Sequence, residues 1–348
     1  MSSEELRHFI LSSPPKSCEL DPLPPFLVQE FLEDLLPFLT LLCNRSLEDG
    51  ILPVSQKRSI LLPSLKREGL DPTDMVNYRP ISNVTFISKI IEKIVACQIA
   101  LHVESNNLLP VNQSGFRKNH STESLLLRLL SDLYGAMDRA QVTLLALFDV
   151  SAAFDTVDHD ILINRLLVSF GISGKPLDWL HSFLSGRMSC AVFGSTRSQW
   201  VATPFGLPQG SVLGPLLYIL YTADIVTVLA SCGVLSQLYA EDIQAYLHCP
   251  ASNALTAAAT MQRAMEALCN WMSSNRLRLN ASKTQFIWLG NGQQLRKIDP
   301  QAISADFPNF VFSTSVRKSE VVLDQELTFS EHLNLLCRAC FFSCGNCG

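Results

Sequence analysis

A run of apolar residues from position 144 to position 148 ends on a single acidic residue, Asp149. A run of this length predicts a buried β-strand, and the small residues at 150–153 predict a tight turn directly after it. The strand would therefore deliver one carboxylate to the edge of a sheet. Taken alone, an aspartate after a strand is more often a turn residue or a helix cap, so a site needs a second acidic cluster.

Such a cluster is present at Glu241 and Asp242, between strand-like segments at residues 236–239 and 243–246. The pattern predicts a strand, a tight turn and a returning strand. Two acidic strand ends far apart in sequence meet the needs of a two-magnesium site, because the paired ions take hard oxygen ligands from separate elements. The alternative is an ordinary hairpin turn that merely favours acidic residues.

The remaining periodicity predicts further helices and strands. Apolar residues at helical spacing predict helices over residues 26–42, interrupted by Pro37, and over 86–102, 124–137, 155–170 and 254–274. Short apolar runs predict strands at 57–63, 190–193, 200–203 and 321–327. Asp155 and Asp158 stand where the start of a helix favours negative charge, and we expect them to be caps.

The apolar stretch at residues 212–230 has the length of a membrane span. It contains Gly214, Pro215 and Asp224 and follows a turn signal, which favours a buried helix. No cationic segment followed by an apolar core begins the chain, so we expect a protein that is not secreted. The eleven cysteines are then expected to be reduced thiols in the cytoplasm, the nucleus or both.

Composition limits the function classes only mildly. A length of 348 residues with 47% hydrophobic and 17% charged residues indicates a globular chain of two or three subdomains. The net charge of -5 argues against a nucleic-acid partner. Local basic pairs such as Lys66-Arg67 argue the other way, and basic residues beside short strands either contact phosphates or form a solvated surface.

A glycine-bracketed loop precedes the apolar stretch. Gly206 and Gly210 flank Pro208 and Gln209, just before the helix predicted there. Small residues at a helix start let a ligand approach the backbone closely, and free backbone N–H groups at that point favour anions. The alternative is a simple tight turn.

Together these segments resemble the reverse transcriptase domain of non-LTR retrotransposons, the LINE-type elements of the Jockey and CR1/L2 kind. The matching motifs, in the order of that family, are YRPIS at 78–82, QSGFR at 113–117, FDVSAAFD at 148–155 and LPQGSVLGP at 207–215. The resemblance implies an α+β chain with the right-hand polymerase fold, in which fingers and an antiparallel palm sheet precede a truncated thumb. It implies an N-terminal helical extension at residues 1–56, fingers at 57–143, palm at 144–290, and the end of the palm with the primer grip and thumb start at 291–348.

The resemblance also assigns roles to residues. Asp149, Glu241 and Asp242 match the carboxylates that hold two Mg²⁺ ions, and Lys283 resembles a lysine near the leaving pyrophosphate that can act as a general acid. Phe154 matches the aromatic gate that rejects the 2′-OH of a ribonucleotide. Four other residues match positions that contact the template or the incoming nucleotide: Lys66, Arg79, Gln209 and Gly210. The implied partners are an RNA template, a DNA primer and deoxynucleoside triphosphates, with no membrane.

Two departures from the family pattern affect the expected activity. The family has Ala-Asp-Asp where this chain has Ala-Glu-Asp, so Glu241 carries its carboxylate one methylene farther out. Ser319 and Glu320 stand where the family has Leu-Gly, at the hairpin that grips the primer. The sequence therefore predicts an RNA-directed DNA polymerase of LINE type, with a catalytically impaired or inactive remnant that retains at most nucleic-acid binding as the alternative.

Overall fold

The computed structural model describes residues 1–67, 69–308, 310–318 and 321–345. Its α-helices are α1 Ser3–Leu11, α2 Pro25–Glu30, α3 Leu32–Asp49, α4 Phe86–Ser105, α5 Thr122–Asp138, α6 His159–Val168, α7 Lys175–Leu184, α8 Leu213–Tyr221, α9 Ile225–Ser231, α10 Ala254–Ser274, α11 Gly292–Leu295, α12 Pro300–Asp306 and α13 Ser330–Gly345. Its strands are β1 Arg58–Leu65, β2 Tyr78–Val84, β3 Val142–Phe148, β4 Met188–Phe193, β5 Thr196–Arg197, β6 Val201–Ala202, β7 Leu235–Tyr239, β8 Asp242–Cys249, β9 Gln285–Leu289, β10 Ser315–Lys318 and β11 Val321–Asp324. The departure expected at Ser319 and Glu320 lies outside the described residues.

The chain divides into two compact units, each built from two segments. The first unit contains Met1–Leu109 and Ala152–Thr222, and the second contains Pro110–Ser151 and Ala223–Gly348. These limits differ from the boundaries expected at residues 56, 143 and 290, because the chain leaves each unit and later returns to it. The division into extension, fingers, palm and thumb start stays a prediction.

The sheet of the first unit has the order β2-β1-β4-β5, with β6 paired to β4. Strands β1 and β2 are antiparallel and form a long hairpin, whereas β1 and β4 are parallel. The predicted hairpin around Gly194 is confirmed by the antiparallel pairing of β4 with β5 and β6. Large side chains such as Trp179 and Phe183 of α7 and Tyr218 of α8 are fully buried in this unit.

One segment of the described chain, Leu213–Ser231, is long and apolar enough to cross a membrane, with a mean hydropathy of 1.7. The structure forms it as two helices, α8 and α9, instead of the single helix predicted from its composition. Every residue of α8 except Pro215 is buried. Burial within the first unit therefore accounts for the high hydropathy of α8.

The sheet of the second unit has the order β7-β8-β3-β9, and all of its pairings are antiparallel. The central strand β3 is buried at each of its seven positions, as its unbroken apolar run predicts. Leu129 and Leu133 of α5 pack on this sheet together with Leu145 and Ile287. The predicted strand before Asp149, the acidic hairpin and the helix at 254–274 are all confirmed.

Two local predictions were wrong. The helix expected at 26–42 was predicted to be interrupted at Pro37. The interruption lies instead at Phe31, between α2 and α3, and Pro37 stands inside α3. Since Pro37 lies early in α3, its missing N–H removes one backbone hydrogen bond near an end where several donors already lack helical partners. The helix expected from residue 155 begins only at His159.

The capping prediction for that helix is confirmed at one residue only. The Asp158 carboxylate caps α6 by accepting hydrogen bonds from the backbone N–H groups of Asp160 and Ile161, both at 3.0 Å. Asp155 is not a cap, because it precedes the helix by one turn and its carboxylate is engaged elsewhere, by the amide of Gln209.

Candidate active site

Asp149 and Asp242 lie at the same end of two neighbouring strands. The antiparallel ladder of β3 and β8 ends with the pair Phe148 and Ile243, so Asp149 and Asp242 occupy the next position in register. Directly opposed residues of an antiparallel pair have Cα atoms about 4.5–5.5 Å apart and side chains on the same face. The register therefore places the two carboxylates, which are distant in sequence, side by side.

The backbone around Asp149 is held by the segment that precedes β9. The carbonyl oxygen of Asp149 accepts a hydrogen bond from the N–H of Asn280 at 2.8 Å, and the N–H of Ser151 donates to the carbonyl of Arg278 at 2.8 Å. Val150 and Leu279 form an isolated antiparallel bridge between these contacts. The carboxylate of Asp149 thus stands on a backbone that is fixed on both sides.

Lys283 contacts the first of these carboxylates. Its Nζ lies 3.2 Å from Oδ2 of Asp149, with side chains 66% and 29% exposed. An ion pair this exposed contributes little to stability. Its significance is positional, because it places the amine of Lys283 next to the carboxylate of Asp149. The predicted role of this lysine near the leaving pyrophosphate stays a prediction.

The second acidic strand end is a hairpin with a two-residue loop. Tyr239 of β7 pairs with Asp242 of β8, so Ala240 and Glu241 form the loop. Ala240 adopts a left-handed backbone conformation with φ of 55°. Such a conformation is uncommon for a residue with a side chain, and it persists only where the surroundings impose it.

Those surroundings are the QSG segment at 113–115, whose role the sequence did not reveal. Its backbone pairs with β7, since Ser114 N–H donates to the carbonyl of Leu238 at 2.9 Å. The buried side chain of Gln113 accepts hydrogen bonds through Oε1 from the N–H groups of Gly115 at 2.8 Å and Ala240 at 3.3 Å. A buried polar side chain of this kind specifies one backbone geometry for the acidic loop.

Gly115 approaches the same loop so closely that only glycine fits. A Cβ atom at this position would lie 2.2 Å from the backbone nitrogen of Ala240. We expect Gly115→Ala to push the acidic loop away and to destabilise the fold by about 1–3 kcal/mol, the usual cost of overpacking. Thermal unfolding measures the loss, and Gly135→Ala on α5, where an added Cβ would meet only the end of the Arg139 side chain at 3.6 Å, is the matched control. An unchanged melting temperature for Gly115→Ala would contradict this packing.

The donor chemistry of the acidic end suits a hard divalent cation. Asp149 and Asp242 offer carboxylate oxygens on adjacent strands, which are the ligands Mg²⁺ prefers. Within the described ranges, no group of three or more His, Cys, Asp or Glu side chains is gathered closely enough to hold a metal ion. The structure thus brings two of the predicted carboxylates into register, while Glu241 is placed in the loop between β7 and β8.

In the first unit, Phe154 lies in a turn that is held by a ring contact and by backbone hydrogen bonds. Its ring stacks on Tyr218 of α8 with centroids 4.8 Å apart. Its carbonyl accepts a hydrogen bond from Leu207 N–H at 2.7 Å, and Gly206 N–H donates to the carbonyl of Val157 at 2.8 Å. These contacts fix the aromatic ring beside the glycine-bracketed loop, a neighbourhood that sequence spacing alone could not establish.

Gln209 is held at both its side chain and its backbone. Its Nε2 donates to Asp155 Oδ1 at 3.1 Å and Oδ2 at 3.2 Å, and its carbonyl accepts from Ser82 N–H at 2.6 Å. Burial raises the pKa of the Asp155 carboxyl, and the hydrogen bond from Gln209 opposes that rise. Gly210 has φ of 108°, and a Cβ there would lie 2.8 Å from the carbonyl oxygen of Ser82. The loop can therefore follow this path only with glycine at 210.

A pocket of about 180 Å³ adjoins this loop. It is lined mainly by β1, β2, the start of β4 and the loop itself. The lining residues are Ser59, Leu61, Pro80, Ser82, Asp155, Arg187, Ser189, Thr203, Phe205, Gly206, Leu207, Pro208 and Gln209. The mixture of hydroxyl, amide and charged groups with apolar walls is typical of a site for a polar ligand.

Comparison with known protein families shows which family the chain belongs to. The family model described as reverse transcriptase (RNA-dependent DNA polymerase) matches residues 65–317, well over half of the chain. The chain belongs to the reverse transcriptase family. The resemblance seen in its motifs is thereby confirmed, and the matched range includes each of the residues assigned a role above.

Several curated proteins that resemble the chain come from mobile elements. The chain is 27% identical over 339 residues to the RNA-directed DNA polymerase from mobile element jockey of Drosophila funebris, covering 96% of this chain and 36% of that protein. It is 29% identical over 312 residues to the probable RNA-directed DNA polymerase from transposon BS of Drosophila melanogaster, covering 87% of this chain and 33% of that protein. The chain thus spans about a third of the length of the curated relatives it matches.

A solved structure supports the fold. Apo telomerase from Candida tropicalis, truncated from its C-terminal domain, superposes with a TM-score of 0.55 at 12% identity, covering 84% of this chain and 59% of that one. Together with the α+β content and the antiparallel sheet of the second unit, this likeness confirms the right-hand polymerase fold. At that identity, the likeness describes the fold alone.

The predicted site residues fall in both units. The second unit carries Asp149, Glu241, Asp242 and Lys283, and the first carries Lys66, Arg79, Phe154, Gln209 and Gly210. Lys66 and Arg79 lie at the end of the β1–β2 hairpin where the two strands are connected, and both are exposed. Lys66 Nζ donates to the carbonyl of Val76 at 2.5 Å. Neither basic residue lines the pocket beside Gln209, so their predicted contact with a triphosphate stays a prediction.

Proposed function

We propose that this chain is the polymerase part of a LINE-type RNA-directed DNA polymerase. It would copy an RNA template by extending a DNA primer with deoxynucleoside triphosphates. The observation that carries the proposal is the register of β3 and β8, which places Asp149 and Asp242 side by side with Lys283 in contact with the first. Polymerases carry out nucleotidyl transfer with two metal ions, and carboxylates are ligands that can hold such ions.

The residues of the second unit would bind the metal ions and donate a proton. Asp149 and Asp242 would hold Mg²⁺, with Glu241 as the third acidic residue of the proposed two-ion site. When bound, the metal ions supply Lewis-acid stabilisation of the charge that develops on the phosphoryl oxygens. Lys283 holds a proton at Nζ beside Asp149 and serves as the proposed acid for the departing pyrophosphate.

The residues of the first unit would select and orient the nucleotide. The ring of Phe154, fixed against Tyr218, supports the proposal that it presses on the sugar and rejects a 2′-OH. Gln209 is kept in one orientation by Asp155 and Ser82, as a residue that contacts the template or nucleotide requires. Exposed Lys66 and Arg79 would offer positive charge to phosphates. We propose that the protein acts in the cytoplasm, the nucleus or both.

A second function is favoured by one specific feature. Glu241 replaces the aspartate of the family pattern in a loop whose backbone is fixed by Gln113 and Gly115. A longer side chain in a fixed loop displaces a carboxylate, and magnesium tolerates such displacement poorly. The chain would then be an impaired remnant that binds nucleic acid without copying it efficiently.

Primer extension separates the two functions. The purified chain, incubated with an RNA template, an annealed DNA primer, deoxynucleotides and Mg²⁺, is expected to lengthen the primer slowly, and EDTA should stop the reaction. The extended products are resolved by denaturing gel electrophoresis. Binding of the primer–template without any extension, at every magnesium concentration tried, would favour the remnant and contradict the polymerase proposal.

A further inference from the structure

Glu92 of α4 is fully buried, yet it carries a carboxylate with no role in the reaction described above. Its Oε2 accepts hydrogen bonds from the backbone N–H groups of Val212 at 2.8 Å and Leu213 at 3.3 Å. Its Oε1 accepts from the hydroxyl of Ser88 at 2.9 Å. The residue that precedes α8 offers no capping side chain of its own. Glu92 therefore supplies, from a distant helix, the acceptor for the N–H groups of Val212 and Leu213 at the start of α8.

Arg187 provides the opposite charge for this buried group. Its side chain is also buried, donates through Nη1 to the carbonyl of Phe183 at 3.0 Å, and lies over the Phe183 ring. Burial raises the pKa of Glu92, and the charge of Arg187 and the hydrogen bonds from Ser88, Leu213 and Val212 oppose that rise. The hydrogen bonds from Ser88, Val212 and Leu213 engage both oxygens of this buried carboxyl group, which is the condition under which a polar group is tolerated in the interior.

The loop that carries Gln209 leads directly into α8. At one point, Ser82 N–H donates to the Gln209 carbonyl. At the other, the Glu92 carboxylate holds the N–H groups of Val212 and Leu213. Between them, Ser211 N–H donates to the Pro208 carbonyl at 3.0 Å, and Ser211 Oγ accepts from Gly214 N–H at 2.9 Å. Gln209 therefore lies in a short turn that has its own internal hydrogen bonds. The turn is held at one end by Ser82 and at the other by Glu92.

We propose that Glu92 is a positioning residue for nucleotide and template binding, because its carboxylate anchors the end of the loop that presents Gln209 to the pocket. The role rests on the proposed polymerase function, since Gln209 is the group through which Glu92 would act. Uncharged glutamine at 92 keeps the size of the side chain but replaces one accepting oxygen with a donor. It cannot accept from Ser88 and from the two backbone N–H groups at the same time.

The test is Glu92→Gln, measured by steady-state primer extension and by hydrogen exchange. We expect the KM for deoxynucleotide to rise on the order of 10-fold while kcat changes little, which is the pattern of lost binding that the ground state and the transition state share. Amide exchange over residues 208–213 is expected to accelerate. If Glu92→Gln fails to fold, Ser88→Ala removes only the hydroxyl that orients Oε1 and should give the same changes in smaller degree.

Asp299→Ala is the matched control, because Asp299 caps α12 by accepting from Gln301 and Ala302 and lies in the second unit. It removes a helix cap without touching the loop, so it should lower the melting temperature and leave both the KM and the exchange of 208–213 unchanged. An unchanged KM in folded Glu92→Gln would overturn the proposal, as would a KM that rises equally in Asp299→Ala. If the unaltered chain extends no primer, the polymerase proposal fails, and unaltered exchange at 208–213 in Glu92→Gln would then separately overturn the anchoring role.

Discussion

Replacing Asp149 with asparagine is expected to reduce primer extension on the order of 10³-fold. Asparagine keeps the size of the side chain but removes the negative charge that faces Asp242 across the end of β3 and β8. Metal-supplied stabilisation of the transition state amounts to several kcal/mol, and each 1.36 kcal/mol corresponds to tenfold in rate. The measurement is the initial rate of primer extension at saturating magnesium.

The fold should survive this substitution. The Asp149 ion pair with Lys283 is partly exposed, so its loss is expected to change stability by about 1 kcal/mol or less. Asp138→Asn, an exposed position at the end of α5 in the same unit, makes the same chemical change away from the site and should leave the rate unaltered. An Asp149→Asn protein that retains extension within tenfold of the unaltered chain would show that this carboxylate is not part of the reaction centre.

The elements that carry the acidic residues could be predicted because their signals are local. The unbroken apolar run before Asp149 is the pattern of a strand buried on both faces, and β3 is buried at every position. The acidic pair between two short alternating segments predicted a hairpin, and Tyr239 pairs with Asp242 as that requires. Once both strands form, their register alone brings Asp149 and Asp242 together.

The supports of the site could not be predicted, because they join residues far apart in sequence. Gln113 accepts from Ala240 over 127 positions, and Glu92 accepts from Val212 over 120. No spacing or periodicity relates such pairs. Asp155 was predicted as a helix cap for the same reason, since its acceptance of the Gln209 amide over 54 positions leaves no local trace. The motifs identified these segments, but only the folded chain shows which side chain holds which loop.

The division of the chain shows a further limit of sequence reasoning. An apolar stretch at 212–230 predicts one helix by its hydropathy, whereas α8 ends at Tyr221 and a separate α9 begins at Ile225. Hydropathy reports burial and carries no information on where a backbone changes direction. The turn at residues 222–224 also coincides with the point where the chain passes from the first unit to the second.

Replacing Glu241 with aspartate is expected to raise primer extension on the order of 100-fold. Glutamate extends its carboxylate by one more bond of about 1.5 Å, and a misplacement of about 1 Å costs on the order of 100-fold in rate. The backbone cannot shift to compensate, because Ala240 is bonded to Gln113 and stands against Gly115, where a single added Cβ would already clash. Shortening the side chain is therefore the only simple way to return the carboxylate to the position that magnesium requires.

The rate of extension and the magnesium concentration for half-maximal rate should both respond, the first rising and the second falling. Glu331→Asp in the exposed first turn of α13 makes the same change in the same unit and should alter neither. If the Glu241→Asp chain extends primers no faster than the unaltered chain and shows the same magnesium dependence, then glutamate at 241 is an adequate ligand and the impaired-remnant hypothesis loses its basis. A large gain confined to Glu241→Asp would instead identify one side chain, in a loop held rigid by Gln113 and Gly115, as the lesion that separates this chain from an efficient polymerase.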